Sequence, residues 1–163
     1  MIAVECFADE ALVRALGVPL ANILHARSKG RVVKSVREGQ ASAGLVDEDP
    51  GKTQPRDMAR FRETERKGAV ALLSAEGNPA RRLIQIRPRL EEWLVSRAAS
   101  CGLALAEYGL PPTAKALKDR GRYDRARKFQ EFLQALLEQD AEMQALKQWT
   151  ADWQAGHVRA RHH

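Results

Sequence analysis

Cysteine is scarce: Cys6 and Cys101 are the two in a chain of 163 residues, too few and too far apart for a disulfide framework or a zinc site. Both read as small buried hydrophobes in a reducing compartment. Long apolar runs are lacking as well. No uncharged stretch approaches the roughly 20 residues of a membrane span, and Met1-Ile2-Ala3-Val4-Glu5 shows no basic region followed by an apolar one, as a secretory leader would. The expectation is a cytoplasmic protein with no membrane partner. There is no internal repeat that would imply a solenoid. The terminal stretch from His157 to His163 is given no function, whether its histidines are native or the remnant of a tag.

Charge is present and unbalanced. Lys and Arg number 27 against 21 Asp and Glu, a formal net charge of +6, with a pI near 9.7. A basic surface suits an anionic partner such as nucleic acid, although a composition rich in Arg and Ala produces the same excess by itself. Hydrophobic residues make up 44% and charged residues 29%, which is ordinary for a folded globular protein and too apolar for a disordered one.

Periodicity divides the chain into two kinds of segment. Ile2 to Val4 reads as a strand and Ala8 to Leu16 as a helix stopped by Gly17 and Pro19. Ile23 to Ala26 and Arg31 to Glu38 repeat that pair, and Ser42 to Val46 is a third apolar strand. Asp47-Glu48-Asp49-Pro50-Gly51 ends it in a turn. Gly51 to Lys67 is polar and reads as an exposed loop with a short helix around Arg56 to Arg66. Ala69 to Leu73 and Leu83 to Ile86 are further strands, separated by the turn residues Glu76-Gly77-Asn78-Pro79. Pro88 starts a helix through Ser100. Beyond Gly109 the pattern is wholly helical, over 113–118, 124–138 and 141–153, with an apolar stripe of Phe129, Phe132, Leu133, Leu136 and Leu137 that also permits a homo-oligomer. The expected fold class is α/β, a mostly parallel sheet flanked by helices. Residues 1–100 form the α/β domain, and 101–163 a helical C-terminal extension packed on it or on a partner.

In such a sheet, ligands bind outside the carboxyl ends of the strands. Glu5 follows the first strand, and Asp47 and Asp49 follow the third. Strand ends that are neighbours bring these negative charges into one crevice, where like charges resist ionising together and a hard cation with oxygen ligands removes the penalty. Mg²⁺ is the natural candidate, with Mn²⁺ as an alternative. The same acids also fit a simpler role, since Asp is common in turns for local hydrogen-bonding reasons.

Two motifs shift the balance. Ala3-Val4-Glu5-Cys6-Phe7-Ala8-Asp9-Glu10-Ala11-Leu12 and Gly44-Leu45-Val46-Asp47-Glu48-Asp49-Pro50-Gly51 stand in order with one βα unit between them. In this the sequence resembles the TOPRIM family, the catalytic fold shared by topoisomerases, primases and overcoming-lysogenization-defect nucleases. In that family the first strand ends in hydrophobic-Val-Glu-Gly-x-x-Asp and a later one in Asp-x-Asp. The resemblance spans about residues 2 to 87. It implies Glu5 as metal ligand or general acid/base, Asp47 and Asp49 as metal ligands, and Asp9 as a further catalytic acid. Cys6 departs from the usual glycine and narrows the site. Arg87-Pro88-Arg89-Leu90-Glu91-Glu92-Trp93-Leu94 is similar to the Pro-x-x-Glu-x-Trp helix start of small stand-alone TOPRIM-like bacterial proteins. This implies Glu91 as an additional carboxylate at the metal, although an acid there also complements the helix dipole.

The resemblance implies a Mg²⁺-dependent phosphodiesterase, a nuclease without strand-passage machinery, acting alone or as a subunit of a defence or nucleic-acid-processing system beside a separate ATPase. Two alternatives stand: a non-catalytic TOPRIM-like module that binds nucleic acid or protein, and a specialised RNA-maturation nuclease. Lys29, at the start of the second helix, is placed to receive a phosphate. The run Lys115, Lys118, Arg120, Arg122, Arg125, Arg127 and Lys128 can track a nucleic-acid backbone or simply form a solvated face. His25 fits a base or a hydrogen-bonded structural residue. Gly51-Lys52-Thr53 imitates the end of a Walker motif, but Val46 stands where its first glycine belongs, so no ATP binding is expected.

Overall fold

The computed structural model describes residues 1–161, with side chains through Gly156; His162 and His163 lie outside the described residues. The strands are β1 (Ile2–Val4), β2 (Ile23–His25), β3 (Ala43–Asp47), β4 (Phe61–Lys67), β5 (Val70–Ala75) and β6 (Asn78–Ile86). The helices are α1 (Phe7–Ala15), α2 (Lys29–Glu38), α3 (Leu90–Ser100), α4 (Ala114–Arg120), α5 (Phe129–Gln139) and α6 (Ala141–Arg161). One six-stranded sheet carries them in the order β2-β1-β3-β6-β5-β4. The first four in that order are mutually parallel. β5 runs against β6 and β4 against β5, so β5 alone is reversed and the sheet is mixed but mostly parallel.

Alternation along the strands gives each face its own core. Ile2, Val4, Leu45, Val70, Leu72, Ile84 and Ile86 point to the face covered by α1, α3, α5 and α6. Ala3, Val46, Ala71, Leu73 and Leu83 point to the other, covered by α2. The C-terminal helices therefore complete the first core rather than forming one of their own. Phe132, Leu133 and Leu136 of α5 are fully buried there, each contributing about 1.5–3 kcal/mol of burial.

Two polar ties fix α6. Asp140, between α5 and α6, accepts the Met143 N–H at 2.9 Å as an N-cap and receives Arg97 Nε at 2.8 Å. Glu142 accepts the Ala69 N–H at 2.8 Å and Trp93 Nε1–H at 3.3 Å and is paired with Arg97. Gly68 sits in the β4–β5 turn at φ 56°, and a Cβ there would lie 2.6 Å from the Glu142 carboxyl carbon; the turn needs glycine for both conformation and space.

The structure differs from the sequence reading in four places. The segment 51–67 is not a loop with a helix: a short 3-10 turn at Arg56–Arg60 leads into β4. Only Phe61 of that strand is buried, so β4 is an edge strand that forms by pairing with β5 and leaves almost no apolar trace. Asn78 and Pro79 belong to β6, because Ala75 pairs with Asn78 and the turn is Glu76-Gly77 alone. The helix expected from Pro88 begins at Leu90, with Arg89 still extended, and the one expected over 124–138 begins only at Phe129, after a 3-10 turn at Tyr123–Arg125. Among the described residues, no helix is long and apolar enough to cross a membrane.

Gly44 lets α2 approach the sheet. A Cβ there would meet Val32 Cγ1 at 2.7 Å, Leu83 Cδ2 at 2.9 Å and Val36 Cγ2 at 3.1 Å. Gly44→Ala is expected to cost about 1–3 kcal/mol through overpacking, read from the urea midpoint at unchanged slope. Glu142→Ala leaves the Ala69 and Trp93 donors unpaired inside the protein, at about 1–3 kcal/mol for each. The same measurement should show it to be the more destabilising of the two.

Candidate metal centre and its acidic cleft

Because β1 lies between β2 and β3 and all three run the same way, the residues that leave β1 and β3 emerge at one edge of the sheet. Glu5 is the first residue beyond β1, and Asp47 is the last of β3. The chain after β3 stays zipped to the segment after β6: Glu48 N–H donates to the Ile86 carbonyl at 2.9 Å and Asp49 N–H to the Pro88 carbonyl at 3.1 Å. That pairing carries Asp49 to the N-terminus of α3, where Glu91 stands. Asp9 joins from the first turn of α1, its carboxylate accepting the Cys6 N–H at 3.4 Å.

The result is a cleft of about 210 Å³ lined by Glu5, Asp9, Asp47, Asp49 and Glu91, together with Cys6, Leu90, Lys52, Arg89 and Lys118. Every carboxylate expected at the metal thus faces the same space. Burial and mutual repulsion govern their titration. Burial pushes Asp47 up to about 8, Asp9 adds to the shift, and the Leu90 N–H at the start of α3 opposes it. Asp9, almost fully buried, is pushed up to about 7 by burial, with the Cys6 hydrogen bond opposing and the Glu5 charge adding. Glu5 is raised by burial and by Asp49, with Lys29 and Lys52 pulling it back. The cleft is short of positive charge for the acids it holds.

The cations that are present lie at its border. Arg89 Nε pairs with Asp49 at 3.3 Å and its guanidinium reaches the Pro50 carbonyl at 3.3 Å. Lys29 donates to the Glu48 carbonyl at 2.9 Å and to Gln54. Burial lowers its pKa while Asp49, Asp47 and Glu5 hold it up. Gln54 braces the loop by donating to the carbonyls of Glu48, Asp49 and Lys52. A second hollow of about 350 Å³, lined by Lys29, Gly30, Thr53, Gln54 and Pro55, shares Asp49 and Lys52 with the cleft.

The set of donors is all hard oxygen, which suits Mg²⁺ or Mn²⁺. Among the described residues, however, no group of three His, Cys, Asp or Glu side chains is gathered as a coordination shell. Mg²⁺ does not require one: it keeps several waters and is commonly held by one or two carboxylates with substrate phosphate completing the octahedron. That mode asks for two of the cleft's carboxylates at a time, and Glu5, Asp47, Asp49 and Glu91 all line the space from which they would be drawn.

The basic run expected to track a nucleic acid is divided by the fold. Lys118 faces the acidic cleft. Arg120, Arg127 and Lys128 line a separate hollow beside Tyr108, where Arg120 donates to the Gly109 carbonyl at 2.6 Å. Arg122 turns back over Phe7, and Lys115 and Arg125 are exposed. His25 is not in the cleft; it pairs with Glu10 at 3.3 Å. Lys52, dismissed with the Walker-like Gly51-Lys52-Thr53, and Arg89 both belong to the site. Sequence reasoning missed them because it weighed that loop and the α3 start for other residues.

Comparison with protein-family models, with curated proteins and with solved structures gives no match.

Asp9 and Asp47 keep their protons to higher pH in the folded chain than in the unfolded one, where each titrates near 3.8. The folded state therefore binds more protons between about 3.8 and about 8, and stability falls as pH rises through that window. Urea melts of the metal-free protein from pH 5 to pH 8.5 should show this decline, and Asp47→Asn should flatten it. An unchanged slope in the variant contradicts the burial of an uncompensated charge at Asp47.

Proposed function

We propose that this chain is a TOPRIM-type, Mg²⁺-dependent phosphodiesterase, a nuclease whose cation is held by Glu5, Asp47 and Asp49. One observation carries the reading: five carboxylates from β1, α1, β3, the loop after β3 and α3 line one cleft at the carboxyl edge of the sheet, with basic side chains on its rim. When bound, a divalent cation supplies charge neutralisation at a scissile phosphate and activation of water. The chain's own groups do the rest. Lys29, Lys52 and Lys118 attract and orient the phosphodiester backbone. Asp9, its pKa raised to about 7 by burial, is able to exchange protons near neutral pH, the range in which general acid–base catalysis is most effective. Glu91, at the start of α3, is the further ligand available across the cleft. The basic balance of the chain and the resemblance favour a cytoplasmic enzyme on nucleic acid. A separate ATPase subunit or a second copy of the chain is its proposed companion.

The competing reading is a TOPRIM-like module that grips nucleic acid or a protein without cutting. The Arg89–Asp49 pair at 3.3 Å favours it, because a guanidinium on a ligand carboxylate does part of the neutralising that a cation would do. A specialised RNA-maturation nuclease is the same chemistry on a narrower substrate.

Plasmid, single-stranded DNA and structured RNA incubated with Mg²⁺ or Mn²⁺ separate these readings. Cleavage by the wild type that stops on chelation, and falls to the metal-free level in Asp47→Ala, is the expected result. Equal cleavage by both proteins removes the mechanism, no cleavage by either favours the binding module, and cleavage of structured RNA alone identifies the RNA enzyme. In the same preparation, added Mg²⁺ should raise the melting temperature more at pH 8 than at pH 6, because it competes with protons for the carboxylates.

A further inference from the structure

Phe7 is the first residue of α1, two positions beyond Glu5, and its side chain is 46% exposed, whereas Trp93, Phe129 and Phe132 are fully buried. An exposed aromatic alone carries little meaning, but this one is built around. The Arg122 guanidinium carbon lies 4.0 Å from its ring centroid. Arg122 is held there by backbone and side chain together. It is a non-glycine residue at φ 33°, a conformation that needs support from its surroundings, and its guanidinium donates twice to Asp124, at 2.9 Å each. The His25 ring, at the end of β2, lies 4.9 Å from Phe7, centroid to centroid, and is tilted to it by 46°, with the Glu10 carboxylate 3.3 Å from its Nε2. Three planar groups from separate parts of the chain therefore meet at the surface. They stand beside Cys6, which lines the acidic cleft.

We propose that the Arg122 guanidinium, stacked over Phe7 with His25 beside them, is a stacking platform whose outer face takes one unpaired base of a single-stranded nucleic acid, the phosphate of which enters the neighbouring cleft. This rests on the phosphodiesterase reading and names its substrate class: single strands, or bases extruded from a duplex. Aromatic rings and guanidinium planes accept the face of any base, and base faces are accessible only where stacking within a duplex is absent. Charge complements the ring. Lys118 and Lys52 line the cleft itself and suit the phosphate on the Glu5 side of the platform. The platform is sequence-tolerant, because it offers a surface to a base and no hydrogen-bonding pattern to its edge.

The test is fluorescence anisotropy at fixed salt with chelator present, so that binding is read without cleavage. Three probes of equal length and charge type are compared: a single-stranded oligothymidylate, an abasic single strand and a duplex. The wild type should bind the base-bearing strand about tenfold more tightly than the abasic one, and Phe7→Leu should remove that preference. Phe7→Trp should retain it, and Arg122→Gln, a second variant at an exposed site, should weaken it. A 2-aminopurine in the strand should be quenched by the wild type and not by Phe7→Leu. Equal affinity for the abasic and base-bearing strands, or unchanged preference in both Phe7→Leu and Arg122→Gln, overturns the platform. Metal-dependent cleavage that persists with no base preference removes the platform alone. Base-dependent binding by a wild type that cannot cleave removes the catalytic reading and leaves the platform standing.

Discussion

Repulsion among carboxylates is the constraint around which this molecule is organised. The parallel arrangement of β2, β1, β3 and β6 sends two acidic strand ends to the same edge, and α1 and α3 add acids from their first turns. Such a concentration of negative charge is unfavourable in the folded state unless it is protonated, paired or neutralised by a ligand. The structure uses the first two devices in part: raised proton affinities at Asp9 and Asp47, and the Arg89 pair at Asp49. The N-terminus of α3 contributes a third through the Leu90 N–H. At Glu5 burial and Asp49 raise the proton affinity as well, and Lys29 and Lys52 offset them only in part.

The elements that hold this edge were legible because their signals are local. Ile2 to Val4 and Ala43 to Val46 are short apolar runs closed by acids, and a strand that is buried on both faces has no alternative pattern to be confused with. The strand ends alone pointed to Glu5, Asp47 and Asp49, whereas Asp9 and Glu91, which stand on α1 and α3, were expected only from the family resemblance. The cations were less legible. Arg89 reaches Asp49 only because the chain after β6 is hydrogen-bonded to the chain after β3, and no spacing rule reports that. The dense basic run from Lys115 to Lys128 reads as one feature, yet Lys118 and Arg120, two residues apart on α4 and so on different faces of the helix, go one to the cleft and the other to a separate hollow. β4 was lost for a different reason. Six of its seven residues are exposed, so periodicity had nothing to detect, and its ion pairs, Arg62 with Glu76 and Arg66 with Glu63, are visible only in three dimensions.

Arg97 shows how the helical extension and the sheet become one body. Its guanidinium engages both Asp140 and Glu142, and Glu142 in turn holds the β4–β5 turn and the indole of Trp93. Trp149 reaches β4 through Glu65 at 2.7 Å. A boundary near residue 100, natural from the change in sequence pattern, therefore divides a continuous core.

The same closure has an outcome for synthesis on the ribosome. Ile2, Val4 and Leu45 share a core with Phe129, Phe132, Leu136 and Leu146, and Trp153 Nε1 bonds Ser42 Oγ at 2.8 Å. While the nascent polypeptide emerges, the three earliest strands can pair, but the greasy side of that small sheet is covered by α1 alone until α3 follows, and stays incomplete until α5 and α6 leave the exit tunnel. The half-made protein is thus obliged to wait with an open hydrophobic flank, the condition under which holdase chaperones bind.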